Sequence, residues 1–355
     1  MPTCQADESI ARVRVGDFAF PLGAYPVEEM EPKRGYLVEF EPADGDNDAG
    51  DWEEWPDRYV YDIVVSAERI EPLWRQLVRL LPPRVYPILD YMGRDAYREV
   101  DPYISYELVG LDRVTDALRR FRDFFFEDGL VGFGAACDDP FVYIFVDEHK
   151  ILTVRVATDR REKVEALLEA FGVPEVEEPL GADSAAHEHR GILSTPPNRP
   201  DLLNQDEVLE IVREDWKLVL NIDPETNLDD EGRELGETAW RCVVRVACER
   251  HPDARYAEVL AMGSSLLEIE DTVGGAGAGL IEGDPGEWTE AVVVTADRVT
   301  TEQLAELMSK PIPGRELDPK TGDASATNAA DPKVLRAGWF GPVEPSKAGP
   351  GEARS

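Results

Sequence analysis

A strand that runs through a short turn into an amphipathic helix occurs three times along the chain, and this repeated unit constrains the fold more than any other feature. In each copy, alternating apolar residues are followed by a small residue, a carboxylate and an Arg, at residues 63–70, 154–160 and 292–299. After each turn the apolar spacing changes from that of a strand to that of a helix. The small polar residue and the carboxylate suit a helix N-terminus, because they accept hydrogen bonds from its free N–H groups and interact with the positive end of its dipole. The repeats therefore predict a structural turn and an α+β chain.

The Arg of each turn, at positions 69, 160 and 298, is expected to have the same structural role in all three copies. A shared catalytic role would require turns from different parts of the chain to converge on one point. We expect instead that the methylene stem of each Arg covers apolar surface at the sheet edge while the guanidinium stays in water.

The length of 355 residues predicts two domains, because a single core rarely organises a chain of this size. Over residues 59–137 the apolar spacing predicts the element order β-α-β-β-α-β, which is that of a ferredoxin-like sandwich. A hairpin that adds strands and a helix that ends at 172 follow, so the first α+β domain is predicted to cover residues 1–173. Residues 174–203 are rich in Pro and lack a hydrophobic period, which predicts a linker.

The second predicted α+β domain covers residues 204–310 and is an antiparallel β-meander with flanking helices. It opens with a helix capped at Asn204. The long strand that follows, 238–249, places its apolar residues on one face. Further strands are predicted at 255–262 and 266–272, and the third strand-turn-helix unit closes the domain.

The tail, residues 311–355, is predicted to be disordered, because it has too few large apolar residues to offset the entropy lost on ordering. The segment 334–343 is an exception, since it contains Trp339 and Phe340. Such an aromatic segment is either a peptide that docks on a partner or a strap that packs on its own domain. The sequence favours neither.

The balance of charge limits the classes of partner. The chain has 73 acidic and 37 basic residues and a formal net charge of −36, which opposes binding to nucleic acid or to an anionic membrane. No apolar run is long enough for a membrane span, and the first residues lack the pattern of a signal peptide. We therefore expect a cytoplasmic protein whose partner, if it has one, is another protein.

The connection formed by residues 90–103 has the composition of a binding surface. Tyr and Arg are common in interface hot spots, since both combine a large contact area with a directional polar group. The alternative is a long loop that packs its own tyrosines over a sheet edge. The candidate partner-binding residues, with the two aromatic residues of the tail, are Tyr91, Arg94, Tyr97, Arg98, Tyr103, Trp339 and Phe340.

Candidate metal ligands are few, and the sequence predicts no metal site. His187 and His189 lie on the same side of an extended chain, as in some metal sites, but they fall in the predicted linker and no third ligand lies near them in sequence. Solvated histidines are the simpler interpretation. Cys242 and Cys248 are expected to be core thiols without metal, because they share the apolar face of one strand.

Two acidic runs, 41–57 and 223–234, resemble calcium loops in composition alone. In the first, Ala49 and Trp55 replace the Gly and the bidentate Glu that the loop requires, and in the second Leu228 replaces the Gly. Both are expected to be solvated acidic loops.

No nucleotide-binding, nucleophile-elbow or zinc motif occurs in the sequence, and no catalytic residue or cofactor is predicted. The sequence favours an acidic protein-interaction or regulatory module without catalytic activity. The alternative is an enzyme of the metal-assisted hydrolase class, with a site assembled from carboxylates and tyrosines that are distant in sequence.

Overall fold

The computed structural model describes residues 3–43, 55–196, 198–199, 201–248, 251–279, 288–310 and 333–339. The chain forms two compact units of mixed α/β structure with antiparallel sheets. The first unit comprises Met1–Met92 and Val100–Asn221, and the second comprises Gly93–Glu99 and Ile222–Ser355.

The described part of the first unit contains thirteen strands and five α-helices. The strands are β1 (Arg14–Val15), β2 (Phe18–Ala19), β3 (Ala24–Pro26), β4 (Gly35–Glu41), β5 (Arg58–Val64), β6 (Arg84–Tyr91), β7 (Asp101–Ile104), β8 (Val109–Gly110), β9 (Val131–Asp138), β10 (Phe141–Val146), β11 (Leu152–Ala157), β12 (His187–His189) and β13 (Val219–Leu220). The helices are α1 (Ala67–Leu77), α2 (Leu111–Arg120), α3 (Arg122–Glu127), α4 (Arg161–Phe171) and α5 (Gln205–Trp216). Short 3₁₀ turns span Val78–Leu80, Thr158–Arg160 and Ala182–Ser184.

One large antiparallel sheet organises the first unit. Its strand order is β13-β7-β6-β9-β10-β11-β5-β4, with β8 paired to β6. The predicted hairpin β10–β11 lies within the sheet, between β9 and β5, and does not extend it at an edge. Alternate residues of β11, such as Leu152 and Val154, are fully buried, as expected for strands with one face in a core. On that face Trp74 of α1 packs edge-on against Phe133 of β9, with ring centroids 5.1 Å apart.

Residues 174–203, predicted as a linker, belong to the first unit. Within this range β12 pairs with β3, and the N–H groups of Val176 and Leu180 donate to the carbonyls of Tyr36 and Lys33. Backbone hydrogen bonds and a few buried apolar residues without helical or strand spacing, such as Ile192, hold this segment, so its lack of hydrophobic period did not reveal its place in the fold. The first unit continues through α5, whose apolar residues join the core of the large sheet, and ends at Asn221.

The described part of the second unit contains a four-stranded antiparallel sheet with the order β16-β14-β15-β17. Its elements are β14 (Thr238–Cys248), β15 (His251–Gly263), α6 (Leu266–Gly279), β16 (Trp288–Val299), α7 (Thr301–Ser309) and β17 (Val334–Trp339). Residues 266–272 were predicted as a strand and are helical in α6. Leu266, Ile269 and Val273 are buried at helical spacing, and the Ser265 hydroxyl accepts from the Glu268 N–H at the helix start.

The tail contributes β17, which pairs with the edge of β15. Ala337 and Trp339 are buried there, so this part of the tail packs on its own unit as a strap. Phe340 and the rest of the tail predicted as disordered, 311–332 and 341–355, lie outside the described residues.

The three repeated units each contain the predicted strand and helix, but their turns differ from the prediction. At α1 the N-cap residue is Ser66, whose hydroxyl accepts from the Ala19 N–H and does not cap the helix, while Glu68 pairs with Arg14. In the third copy β16 continues past Asp297, and Thr300 caps α7 in a capping box. In the second copy Asp159 lies in a 3₁₀ turn, and the N-cap residue of α4 is Arg160, with no side-chain cap. The predicted carboxylate caps are therefore wrong for all three copies.

The Arg side chains of the first and third copies also differ from each other. Arg69 donates to the carbonyl of Phe171, and its guanidinium lies 4.5 Å from the Phe171 ring centroid. Arg298 is 2 % exposed, so the prediction that its guanidinium stays in water is wrong. The reason is Asp95, a buried carboxylate of the same unit that pairs with it.

Candidate metal centre

Two backbone elements of the first unit carry three histidines to one place. His149 lies in the turn of the β10–β11 hairpin, and His187 and His189 form the ends of β12. Residues two apart in a strand point to the same side, so the two β12 imidazoles are neighbours. The hairpin turn is held by Asp147, whose carbonyl accepts from the Lys150 N–H and whose carboxylate accepts from the Ile151 N–H.

The three imidazoles converge through their Nε2 atoms. The Nε2 atom of His149 lies 3.0 Å from Nε2 of His187 and 3.2 Å from Nε2 of His189. All three ligand atoms lie within 4.8 Å of one another, and all three side chains are partly buried. The ring centroids are 4.6–5.0 Å apart and the rings are nearly perpendicular.

Hydrogen bonds at the opposite ring nitrogen fix the tautomers of the two β12 histidines. Nδ1 of His187 lies 2.8 Å from the Ala185 carbonyl oxygen, and Nδ1 of His189 lies 2.7 Å from that of Gly129. A carbonyl oxygen only accepts hydrogen bonds, so each Nδ1 carries a hydrogen and each Nε2 of a neutral ring presents a lone pair. Both lone pairs face the centre of the cluster.

His149 is oriented by carboxylates. Its Nδ1 atom lies 3.5 Å from Asp147 Oδ2 and 3.4 Å from Glu148 Oε1. Both carboxylates lie on the Nδ1 side of the ring, while Nε2 lies near the other two imidazoles. A carboxylate behind the ring of a histidine ligand is a common arrangement in metal sites, because it fixes the ring and makes Nε2 a better donor to the metal.

When all three rings are neutral and carry their hydrogen on Nδ1, three Nε2 lone pairs meet at the centre of the cluster. A proton on His149 Nε2 could be donated to either neighbour, but three lone pairs are satisfied together by one metal ion. In a tetrahedral site with Zn–N distances of 2.0–2.1 Å, ligand nitrogens are about 3.3 Å apart. The observed separations of 3.0 and 3.2 Å approach this value.

The surroundings shift the pKa values of the cluster in opposite directions. Desolvation lowers the pKa of His149, but the hydrogen bond and charge of Asp147, followed by the charge of Glu148, outweigh it and raise that pKa overall. Desolvation lowers the pKa of His189, and the neighbouring imidazoles lower it further. Burial, with the charges of Glu148 and Asp147, raises the pKa of Asp90 to about 6. His149 is thus the ring at which a proton competes most with a metal.

A close backbone contact supports His189. A Cβ atom on Gly129, whose carbonyl accepts from His189, would lie 1.9 Å from the Gly23 carbonyl oxygen. Gly23 in turn accepts from the Arg190 N–H, and the Gly129 N–H donates to the Arg190 carbonyl. Any side chain at either glycine would separate these strands, so the position of the acceptor for His189 depends on both.

The structure divides the partner-binding residues predicted from the sequence between the two units. Tyr91 and Tyr103 are buried in the core of the first unit, where the Arg213 guanidinium lies 4.8 Å from the Tyr103 ring centroid. Trp339 is buried in the second unit. Phe340 lies outside the described residues.

The other predicted residues lie in the segment Gly93–Glu99 of the second unit. Arg98 approaches the Asp95 carboxylate at 3.9 Å, and the Arg298 guanidinium lies 5.6 Å from the Tyr97 ring centroid. Arg94 is exposed and lines a cavity of about 190 Å³. Tyr97 and Arg98 thus surround a buried ion pair within their own unit.

Sequence reasoning singled out His187 and His189 but missed His149. The two groups are 38 residues apart in sequence, and the sequence contains no spacing motif that joins a hairpin turn to a distant three-residue strand. Cys242 is fully buried, as expected, and burial raises the pKa of its thiol. The Cys248 side chain and residues 44–54 of the first acidic run lie outside the described residues. In the second run Asp229 accepts from the N–H groups of Glu231 and Arg233 and so closes its own turn.

No protein-family model, curated protein or solved structure significantly matches this chain. In the described ranges, we find no helix with the length and apolar character that crossing a bilayer requires.

Proposed function

We propose that the first unit binds one zinc-like divalent metal ion through the Nε2 atoms of His149, His187 and His189 and activates a water molecule at the remaining coordination position. This is the chemistry of a metal-assisted hydrolase. The observation that carries the proposal is the convergence of three Nε2 atoms, with carbonyl oxygens at Nδ1 of His187 and His189 and two carboxylates beside Nδ1 of His149.

The donor set favours a transition metal. Imidazole suits zinc, copper, iron and nickel, whereas calcium and magnesium prefer oxygen ligands. The two carboxylates of the hairpin turn lie beside Nδ1 of His149, the ring nitrogen that does not face the other two histidines. A set of three histidine ligands is typical of zinc in particular.

The number of ligands favours catalysis over a purely structural role. Structural zinc sites are closed by four protein ligands, whereas catalytic sites have three and bind water at the fourth position. The histidine cluster found among the described residues has three members, all partly exposed to solvent. A metal in such a site lowers the pKa of its bound water to about 7 and so supplies hydroxide at neutral pH.

Calorimetric titration of chelator-treated protein with zinc tests the proposal. We expect one ion per chain, and we expect His149→Ala, His187→Ala and His189→Ala each to lower the affinity by more than about 100-fold, since even loss of a supporting group costs 10- to 100-fold. Glu188→Gln is the matched control, because Glu188 lies on the same strand between two ligands but binds the Tyr25 hydroxyl. Equal affinity in the wild type and all three histidine variants would contradict the proposal.

A protein-interaction module is the function that composition favours, and it receives less support from the geometry. Three of its predicted anchors, Tyr91, Tyr103 and Trp339, are buried within their own units. The cytoplasmic location, the protein partner and the ferredoxin-like description of residues 59–137 remain predictions. The last of these has to accommodate the insertion of β10–β11 between β9 and β5.

A further inference from the structure

We infer that the substrate of the proposed metal centre is an uncharged acyl compound, such as a carboxylic ester or amide, and not a phosphate ester; this inference rests on the proposed function. The arrangement of charged residues around the three histidines supports this substrate class.

The hairpin turn places negative charge beside the ligands. The carboxylates of Asp147 and Glu148 lie 3.4–3.5 Å from Nδ1 of His149. Their charges oppose the positive charge of a bound ion. An anionic substrate would therefore be attracted to the centre less strongly than to an ion held by neutral ligands alone.

Sites for phosphoryl transfer hold the phosphate oxygens with Lys, Arg or additional metal ions. The two cationic residues adjacent in sequence to the ligands are Lys150 and Arg190, and both are engaged elsewhere. The Lys150 ammonium is buried and donates to the Val131 carbonyl. Arg190 donates to the Leu22 carbonyl at 2.9 Å, and its guanidinium lies 4.4 Å from the Tyr25 ring centroid. Neither is available as a phosphate clamp without losing these contacts.

The wider charge distribution acts in the same direction. Glu188 lies between the two ligands of β12. The charges of Asp147 and Glu148 also act on Asp90 of β6, whose pKa is raised by burial and by these charges. The whole chain carries a formal charge of −36. Such a field lowers the local concentration of anions and leaves neutral molecules unaffected.

The reaction on an ester consumes one water molecule. The water gives one proton to solvent, its oxygen forms a bond to the acyl carbon, and the bond between that carbon and the leaving oxygen breaks. The leaving oxygen takes a proton from solvent, so the products are a carboxylic acid and an alcohol. No group is oxidised or reduced.

Zinc-loaded full-length protein tests the inference with two chromogenic probes, 4-nitrophenyl acetate and bis(4-nitrophenyl) phosphate, in parallel with the calorimetric zinc titration. We expect the wild type to hydrolyse the acetate at least tenfold faster than His187→Ala at the same total zinc, and to hydrolyse the anionic diester no faster than this variant. The double variant Asp147→Asn, Glu148→Gln should show a lower preference for the acetate over the diester, because it lacks the two carboxylates that repel an anionic substrate.

Faster hydrolysis of the diester than of the acetate would overturn the inference. Stoichiometric zinc with hydrolysis of neither probe above the level of His187→Ala would also overturn it, while leaving metal binding intact. Failure to bind zinc would remove the proposed function together with the inference.

Discussion

The histidine cluster of the first unit and the cluster around Arg298 in the second unit are both built from residues distant in sequence, but they differ in their hydrogen-bond balance. Arg298 brings donors to acceptors: Nε lies 2.9 Å from Asp95 Oδ2, and Nη1 lies 3.0 Å from Asn227 Oδ1. The neutral imidazoles of His187 and His189 each present an Nε2 lone pair to Nε2 of His149, so acceptors meet acceptors unless His149 Nε2 carries a hydrogen. A cluster in which donors and acceptors are matched stabilises a fold. A cluster of acceptors without a donor is suited to bind a cation.

The largest effect is expected for Asp95→Ala, which leaves the Arg298 guanidinium buried without its carboxylate. The Asp95 side chain is 0 % exposed and that of Arg298 is 2 % exposed. Removal of one partner of such a pair costs about 3–5 kcal/mol of unfolding free energy. Denaturant titration of the full-length protein measures this loss.

The same variant separates the two clusters, because Asp95 belongs to the second unit. Zinc affinity should be unchanged in Asp95→Ala under conditions where the protein is folded. If the variant does not fold, Asp95→Asn, which keeps one oxygen acceptor, provides the measurement. A loss below 1 kcal/mol in either variant would mean that the second cluster contributes little to stability.

The next largest effect is stabilisation by zinc. A ligand that binds the native state at 100 times its dissociation constant stabilises it by about 2.7 kcal/mol. The effect should depend on pH, because a proton on His149 competes with the ion. The folded-state pKa of His149 is raised, so the stability that this proton contributes is present below the ordinary histidine pKa and is lost as pH rises through the raised value. Stabilisation by zinc should change with pH in the opposite direction. It should increase as pH rises through the raised pKa of His149, because the ion then no longer competes with the proton.

Thermal unfolding with and without zinc, at several pH values from about 5.5 to 8, checks this pH dependence. His187→Ala is the control and should show no zinc-dependent shift. An equal zinc effect at every pH in the wild type would show that His149 is not a ligand.

A smaller effect is expected when a supporting carboxylate is changed. Asp147→Asn keeps an oxygen for the Ile151 N–H but removes the charge behind His149. We expect zinc affinity to fall about tenfold, as for other groups that orient a histidine ligand. Glu148→Gln should have a similar effect and Glu188→Gln none, as measured by calorimetry. A loss of apo-protein stability at unchanged zinc affinity would instead assign Asp147 to the turn alone.

The smallest effect is expected for Glu68→Ala, which belongs to neither cluster. Glu68 pairs with Arg14 on the surface, with side-chain exposures of 53 % and 51 %, and it does not cap α1. An exposed pair contributes at most about 1 kcal/mol, so denaturant titration should show a change below this value. A larger loss would restore the helix-capping role that the sequence suggested.

Local patterns in the sequence predicted much of the secondary structure. The helix that begins after Asn204 forms with a capping box between Asn204 and Glu207. In β14, alternate residues such as Trp240, Cys242 and Val244 are all buried, as the alternation predicted. These features depend on neighbours in the chain, so they can be read from a single segment.

Features that depend on distant residues could not be predicted in this way. The environment of Arg298 depends on Asp95, which is 203 residues away, and the proposed metal centre depends on a turn and a strand whose histidines are 38 residues apart. Residues 90–103 were predicted either to bind a partner or to pack their own tyrosines, and Tyr91 and Tyr103 are core residues because they lie in β6 and β7. The sequence indicated two of the three histidines of the candidate site, and only the fold showed that the third lies beside them.

The spacing of His149 and His187 has a topological consequence. A metal ion bound to both would close a loop of the chain. The loop includes β11, α4 and the first part of the segment predicted as a linker. The ion would then join two chain segments as a cystine does, but reversibly. A single proteolytic cut between residues 172 and 186 would yield two fragments that the zinc holds together, and addition of a chelator would remove that link.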